Sequence, residues 1–226
     1  MTQTELAPAD ADVLRRLGAL DACAVSDALD TLGLPGAVTG IGPLWPVGRV
    51  VAGRARTIQA APKSEGQAGT HIASALIAVA DEGDVAVIAN DGREDVSCFG
   101  GILAEAAVRR GMAGVAIDGA CRDIAESDAL DLPIFGRAVV PVSARGRIVQ
   151  TAMDEPIQFA GATVRSGDYV IADRSGVVFV PADDAGRVLD LADRIVARES
   201  AMVEAVRAGE SVEAVMHDSR FPKADA

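Results

Sequence analysis

The residues best suited to do chemistry lie in one stretch, residues 99–123, which reads FGGILAEAAVRRGMAGVAIDGACRD from Phe99. Its order is a glycine pair, a helical run, a short apolar strand and then Arg122 beside Asp123. A helix opening at Gly100-Gly101 presents N–H groups that have no intrahelical acceptor, and its dipole favours negative charge there. The same glycines would equally serve close packing of helix on strand. Arg122 and Asp123 follow a strand end, the part of α/β proteins where ligands tend to bind. A guanidinium offers a planar fork to a carboxylate or carbonyl. A lone carboxylate suits magnesium, which keeps most of its waters and takes only one or two protein oxygens. A surface ion pair, or a cap on the next helix, is the alternative for these two residues.

Glu199 is the third candidate. In the last helical segment Val188, Ala192, Ile195, Met202 and Val206 share one apolar face, and at about 100° per residue Glu199 falls near its middle. A carboxylate there either meets a polar site on another subunit or reaches to solvent. His71 and His217 are isolated, so no histidine metal site or catalytic triad is expected, and no P-loop or serine nucleophile elbow is present. Asp91-Gly92-Arg93 reads as a turn.

These residues must be positioned by elements built mainly from small aliphatic side chains. Half of the 226 residues are hydrophobic but only 3% are aromatic, and glycine occurs 23 times. The length fits one domain, 1–226, with a core over about 14–181, a helix over about 183–207 and a polar tail over 208–226 that is expected to fray. A formal net charge of −12, with no basic patch, speaks against nucleic acid as a partner. No run approaches the ~18 apolar residues of a membrane span, and the first dozen residues lack the pattern of a leader. A cytoplasmic protein with reduced Cys23, Cys98 and Cys121 is expected.

Along the chain, apolar spacing predicts one helix over 10–32 and a strand over 50–60, with Arg54 and Arg56 alternating against apolar neighbours. A helix over about 70–80 and a strand over 84–90 follow. Ser97 is the expected N-cap of a helix running to residue 110, and a strand over 115–118 comes next. Strands over 169–172 and 177–180 flank the turn DRSG. The pattern is a layered α/β domain with a mixed sheet and an appended long C-terminal helix.

The sequence GGILAEAAVRRGMAGVAIDGACRD resembles the signature of the family containing 4-hydroxy-4-methyl-2-oxoglutarate aldolase and the regulator of ribonuclease activity A. The likeness continues through VVAGRARTI, EGDVAVI, GATVRSGDYVIADRSGVVFVP and the trailing helix with ARES, about residues 14–212. The resemblance implies an α/β fold of the swivelling ββα type, assembled as a homotrimer or hexamer with active sites between subunits. It implies that backbone groups of Gly100, Gly101, Ile102 and Leu103 hold a pyruvate carboxylate. Arg122 would stabilise the enolate oxygen, and Asp123 would hold Mg2+ or Mn2+. Glu199 of a neighbouring subunit would support metal-bound water. The family's aldolases often carry an acidic residue where this chain has Gly101, so an added carboxylate at 101 is expected to favour aldol cleavage over decarboxylation.

The expected activity is that of a class II, divalent-metal-dependent lyase. It would cleave a 4-hydroxy-2-oxo di- or tricarboxylic acid to pyruvate, with oxaloacetate decarboxylation on the side. The different-class alternative is a non-catalytic protein that binds and regulates a ribonuclease or RNA helicase.

Overall fold

Asp21 and Gly33 decide how the chain begins. The computed structural model describes residues 8–217, and its first apolar stripe is carried by two helices, α1 (Pro8–Leu17) and α2 (Ala22–Leu32), where periodicity predicts one. The break follows from Asp21, whose side chain accepts the N–H of Ala24 and starts α2 afresh. Gly33, at φ 67°, ends α2 with its N–H on the Asp30 carbonyl, while the Leu34 N–H reaches the Leu29 carbonyl. That pair of bonds requires a left-handed residue at Gly33.

The chain continues through β1 (Gly42–Pro43), β2 (Val51–Pro62), α3 (Ser74–Val79), β3 (Asp84–Phe99), α4 (Gly101–Arg109), β4 (Gly114–Cys121) and α5 (Ile124–Ala129). Short strands follow: β5 (Ile134–Gly136), β6 (Ala138–Val139), β7 (Ile148–Met153), β8 (Ile157–Phe159) and β9 (Ala162–Val164). The hairpin of β10 (Tyr169–Asp173) and β11 (Gly176–Val180) leads into the long α6 (Ala185–Arg207) and then α7 (Val212–His217). Strands run in the order β1-β5-β4-β3-β2-β10-β11, with β6 beside β4 and β7 beside β2. The centre, β2-β3-β4-β5, is parallel, and β10, β11 and β7 join antiparallel. Ala37 bridges to Val178 on β11, and a few residues on β1 pairs with β5. One segment thus spans both edges, and the mixed sheet is nearly closed.

Alternation along the central strands divides the interior. Val85, Val87 and Ala89 of β3 face the inside of the curved sheet with Phe135, Phe159 and Phe179. Ala86 and Ile88 face α3 and α4 with Leu76, Ala104 and Ala107. A third cluster packs α1, α2 and α6 on Tyr169, Ile171, Val178 and Val180. Strands covered on both faces read as continuous apolar runs, as residues 85–89 do.

Four expectations are corrected. The helix expected over 70–80 is confined to α3, because Gln150 Oε1 takes the Ala73 N–H and Ala73 turns left-handed at φ 65°. Residues 91–93 do turn, with Asp91 at φ 51° and Gly92 at φ 70°, but as a bulge after which β3 resumes pairing with β4. Ser97 lies in that resumed strand, its Oγ donating to the Phe99 carbonyl, so it caps no helix. The tail does not simply fray: α7 folds back on α6 and buries Val215, while residues 218–226 lie outside the described residues.

Arg56 ties three parts of this sheet together. Its guanidinium grips Asp154 at 2.7 and 2.8 Å and reaches Asp84 at 3.2 Å. The bond from Arg56, helped by Ser166, holds the Asp154 carboxyl below its ordinary value, whereas burial pushes Asp84 up. A carboxyl depressed in the fold stabilises above its unfolded pKa, and that contribution is lost as pH falls through the folded one. Asp154→Asn is therefore expected to cost about 1–2 kcal/mol at pH 7. Denaturant unfolding at a series of pH values should show the gap to wild type closing below about pH 4, near the ordinary carboxylate range.

Candidate active site

The bulge in β3 matters because it sets where that strand ends. After it, Phe99 pairs with Cys121, and the Arg122 N–H donates to the Phe99 carbonyl at 3.0 Å. That one bond brings the end of β4 against the glycine pair. A Cβ on Gly100 would stand 2.7 Å from Asp123 Oδ2 and 3.1 Å from both Cγ and Nε of Arg122. Glycine at 100 is thus required by the approach of the two candidate side chains themselves. Asp123 takes a left-handed conformation, φ 56°, which aspartate tolerates better than most residues. Its Oδ2 accepts the Gly101 N–H at 3.0 Å and lies 3.2 Å from Arg122 Nε. The start of α4 is therefore capped by a carboxylate 22 residues on, not by a local serine.

Above the glycines opens a cleft of about 340 Å3. Gly100, Gly101, Ile102, Leu103 and Arg122 form one side of it. Lys63, at the end of β2, and His71, Ser143 and Arg145 from loops contribute to the rest. Neither Lys63 nor Arg145 has a carboxylate partner among the described residues, whereas arginines elsewhere are neutralised locally, Arg16 by Asp190 and Asp193 and Arg137 by Asp118. The cleft is a cationic place on an acidic chain. Of the early α4 donors, Gly101 N–H serves Asp123 and Leu103 N–H serves the Gly100 carbonyl, leaving Ile102 N–H without an acceptor among the described residues.

Asp123 adjoins this cleft through Gly101 and Arg122 rather than lining it, and its side chain is about a third exposed. Glu126, three residues on in the first turn of α5, stands over the same glycine. A Cβ built on Gly101 would fall on its Oε2, 2.6 Å from its carboxyl carbon. An added carboxylate at 101 would meet that flexible side chain first, and Glu126 would have to swing aside to admit it. Among the described residues no three metal-ligating side chains converge. Two hard oxygen donors without histidine or thiolate suit a cation that retains its waters, Mg2+ or Mn2+, and not a closed zinc centre.

Glu199 is not brought to this cleft within one chain. It is exposed on α6 and lines a separate groove with Met202, Val206, Val212 and Met216. Glu126, Lys63 and Arg145 were missed in the sequence. The spacing Arg-Asp-x-x-Glu marks Glu126 after the fact, but 82 residues separate Lys63 from Arg145 and no local pattern joins them.

A family model described as RraA-like, aldolase/RraA, matches residues 22–179. The chain belongs to the RraA-like family. Similar proteins include "Putative 4-hydroxy-4-methyl-2-oxoglutarate aldolase" of Halalkalibacterium halodurans, 32% identical over 203 residues that cover 89% of this chain and 91% of that one. Protein DlpA of Legionella pneumophila is 28% identical over 207 residues, 92% of this chain, which spans only about a third (34%) of DlpA's length. Among solved structures, an uncharacterized protein from Pseudomonas syringae pv. tomato superposes with TM-score 0.82 at 32% identity, covering 94% of this chain and 99% of its own. Streptomyces coelicolor RraAS2, described as an unusual member of the RNase ES inhibitor RraA protein family, gives TM-score 0.77 at 27% identity, with 88% and 97% covered. The chain thus takes the fold of these RraA-like structures.

Cys98 lines the cleft, yet burial pushes its thiol up to about 12, and that of Cys121 likewise. Neither can act as a thiolate nucleophile near neutral pH. Iodoacetamide at pH 7.5 should label exposed Cys23 readily and the other two only after unfolding. Peptide mass mapping before and after denaturant checks this.

Proposed function

We propose that this RraA-like protein is a divalent-metal-dependent lyase that cleaves a 4-hydroxy-2-oxo di- or tricarboxylic acid, of the 4-hydroxy-4-methyl-2-oxoglutarate type, to pyruvate. Oxaloacetate decarboxylation would be its side reaction. The observation that carries the reading is the cleft itself, with Arg122 and an open helix N-terminus on one side and, on the other, Lys63 and Arg145, which have no carboxylate partner among the described residues. Such a surface suits a small substrate with a carboxylate at each end.

In this reading the Ile102 N–H donates to the carboxylate of the pyruvyl end, supported by the dipole of α4. Arg122 lies against the C2 oxygen, where its guanidinium steadies the negative charge that develops as the C–C bond breaks. Lys63 and Arg145 pair with the distal carboxylate and orient the substrate. Asp123 would hold a Mg2+ or Mn2+ ion, which would supply Lewis-acid polarisation of the 2-oxo group. Glu199 would come from a neighbouring subunit of a homotrimer or hexamer and help accept the C4 hydroxyl proton. Such an assembly would also cover apolar side chains left open around Glu199, among them Val206, Val212 and Met216, which are 43%, 64% and 60% exposed. Decarboxylation uses the same enolate and requires no hydroxyl proton to be removed.

Pyruvate release from oxaloacetate and from 4-hydroxy-4-methyl-2-oxoglutarate should be abolished by EDTA and restored by Mg2+ or Mn2+. Asp123→Ala, and Arg122→Lys, which loses the fork, should each lower kcat/KM about 100- to 1,000-fold while the fold persists by circular dichroism. No turnover with either substrate would instead favour a non-catalytic regulator of a ribonuclease or RNA helicase, and EDTA-insensitive turnover would remove the metal from the reading. Mixing Asp123→Ala with Glu199→Ala subunits should recover part of the activity, because reassembly unites two intact half-sites. Activity that stays at the level of the separate variants would remove Glu199 from the site.

A further inference from the structure

We propose that the uncharged wall of the cleft is a specificity subsite for an apolar branch at C4 of the substrate, so that the preferred 4-hydroxy-2-oxo diacid carries an ethyl or propyl group there rather than a third carboxylate. The inference rests on the lyase reading above and narrows its substrate class. Three features of the cleft lead to it.

First, the cations of the cleft are already committed. Under that reading Arg122 and the Ile102 N–H serve the pyruvyl end, and Lys63 and Arg145 serve the distal carboxylate. Of the basic side chains in the lining, only His71 is left over. Second, much of the remaining wall is apolar and continuous with the core. Ile72, Phe99 and Ile148 belong to one buried cluster, and Leu103 and Ala144, both half-buried, pack against it. All five line the cleft, together with Val149. Cys98 beside them keeps its proton near neutral pH, since burial pushes the thiol up to about 12. The Ser97 hydroxyl is spent on the Phe99 carbonyl. A carboxylate laid on this wall would lose its water with no charged partner to replace it, whereas each buried methylene strengthens binding about fourfold. Third, the cleft has room. At about 340 Å3 it falls in the range that encloses drug-sized ligands, roughly 300–1,000 Å3, so a diacid with only a methyl at C4 leaves wall uncovered. Ala144 is the smallest of these apolar side chains, and enlarging it would close that space.

Cleavage of such a substrate breaks the C3–C4 bond. The C4 hydroxyl loses its proton and C4 becomes the carbonyl of a 2-oxo acid that keeps the alkyl branch. The electron pair of the broken bond stays with the pyruvate enolate, whose C3 then takes a proton. The second product is therefore a straight-chain 2-oxo acid, 2-oxobutanoate from the ethyl substrate and 2-oxopentanoate from the propyl one.

The test follows pyruvate release by the full chain, supplied with Mg2+, from 4-hydroxy-2-oxoglutarates that bear methyl, ethyl, propyl or carboxymethyl at C4. In wild type kcat/KM should rise about fourfold per methylene from methyl to propyl. The carboxymethyl substrate should fall about tenfold or more below the ethyl one. Ala144→Leu, which fills the space, should reverse the order of methyl and propyl. Val149→Thr, which keeps the shape but adds a hydroxyl, should flatten the rise. Melting temperatures show whether each variant folds, and the wild-type series decides even where one does not. A methyl substrate cleaved as well as the ethyl and propyl ones, or a carboxymethyl substrate preferred to both, would overturn this inference and leave the lyase reading standing. A wild-type rise that both folded variants leave unchanged would put the branch elsewhere and overturn it as well. No pyruvate from any of the four would remove both.

Discussion

The hydrogen bond from the Arg122 N–H to the Phe99 carbonyl is the constraint on which the rest of the site depends. It fixes the end of β4 against the end of β3, so that Arg122, Asp123 and Glu126 all press on two consecutive peptide groups. A side chain at Gly100 would run into Asp123 and Arg122, and one at Gly101 would need Glu126 to move aside. The glycines are therefore less an opening left for ligand than the floor on which the charged side chains rest. The helix dipole of α4 points into the same place, and Asp123 answers it by capping Gly101.

Charge is distributed so that this small region differs from its surroundings. The chain carries 33 acidic and 21 basic residues, and much of its guanidinium charge is matched by nearby aspartates that hold elements together, as Arg56 is by Asp84 and Asp154. Lys63 and Arg145 lack such partners among the described residues, and they line one cleft. In a protein of this sign the long-range field repels an anionic substrate. Capture must come from groups within a Debye length, about 8 Å at physiological ionic strength. The cationic side chains lining the cleft and a helix N-terminus answer that need at the distance where screening is weak.

The helix that carries Glu199 is not brought to the cleft within one chain. The apolar stripe of α6 is buried on α2 and the β10-β11 hairpin through Val188, Ala192 and Ile195, and then passes beyond the body of the fold. Met202 and Val215 are covered where α7 folds back, while Val206, Val212 and Met216 stay open around Glu199. A carboxylate on an apolar stripe is not, in the isolated chain, a buried charge in need of a partner. It is an exposed group at the edge of a surface that lacks a cover.

The sequence by itself determined the elements whose signals are local. The parallel strands are legible in runs such as residues 85–89 because both faces are buried. The turn between β10 and β11 is legible in DRSG, and α6 in its 3.6-residue stripe. Arg122, Asp123 and the glycine pair were legible for the same reason, since they lie within one stretch of 25 residues. Tertiary structure alone decided how those residues meet. It replaced the local cap at Ser97 with Asp123, divided the first helix at Asp21, and turned the apparent break at Asp91 into a bulge that carries β3 on to Gly100. It also placed Glu126 in the space of an absent side chain, and Lys63 and Arg145 around one cleft. These outcomes depend on contacts between segments far apart in the chain, and periodicity and capping rules describe only the neighbours along it.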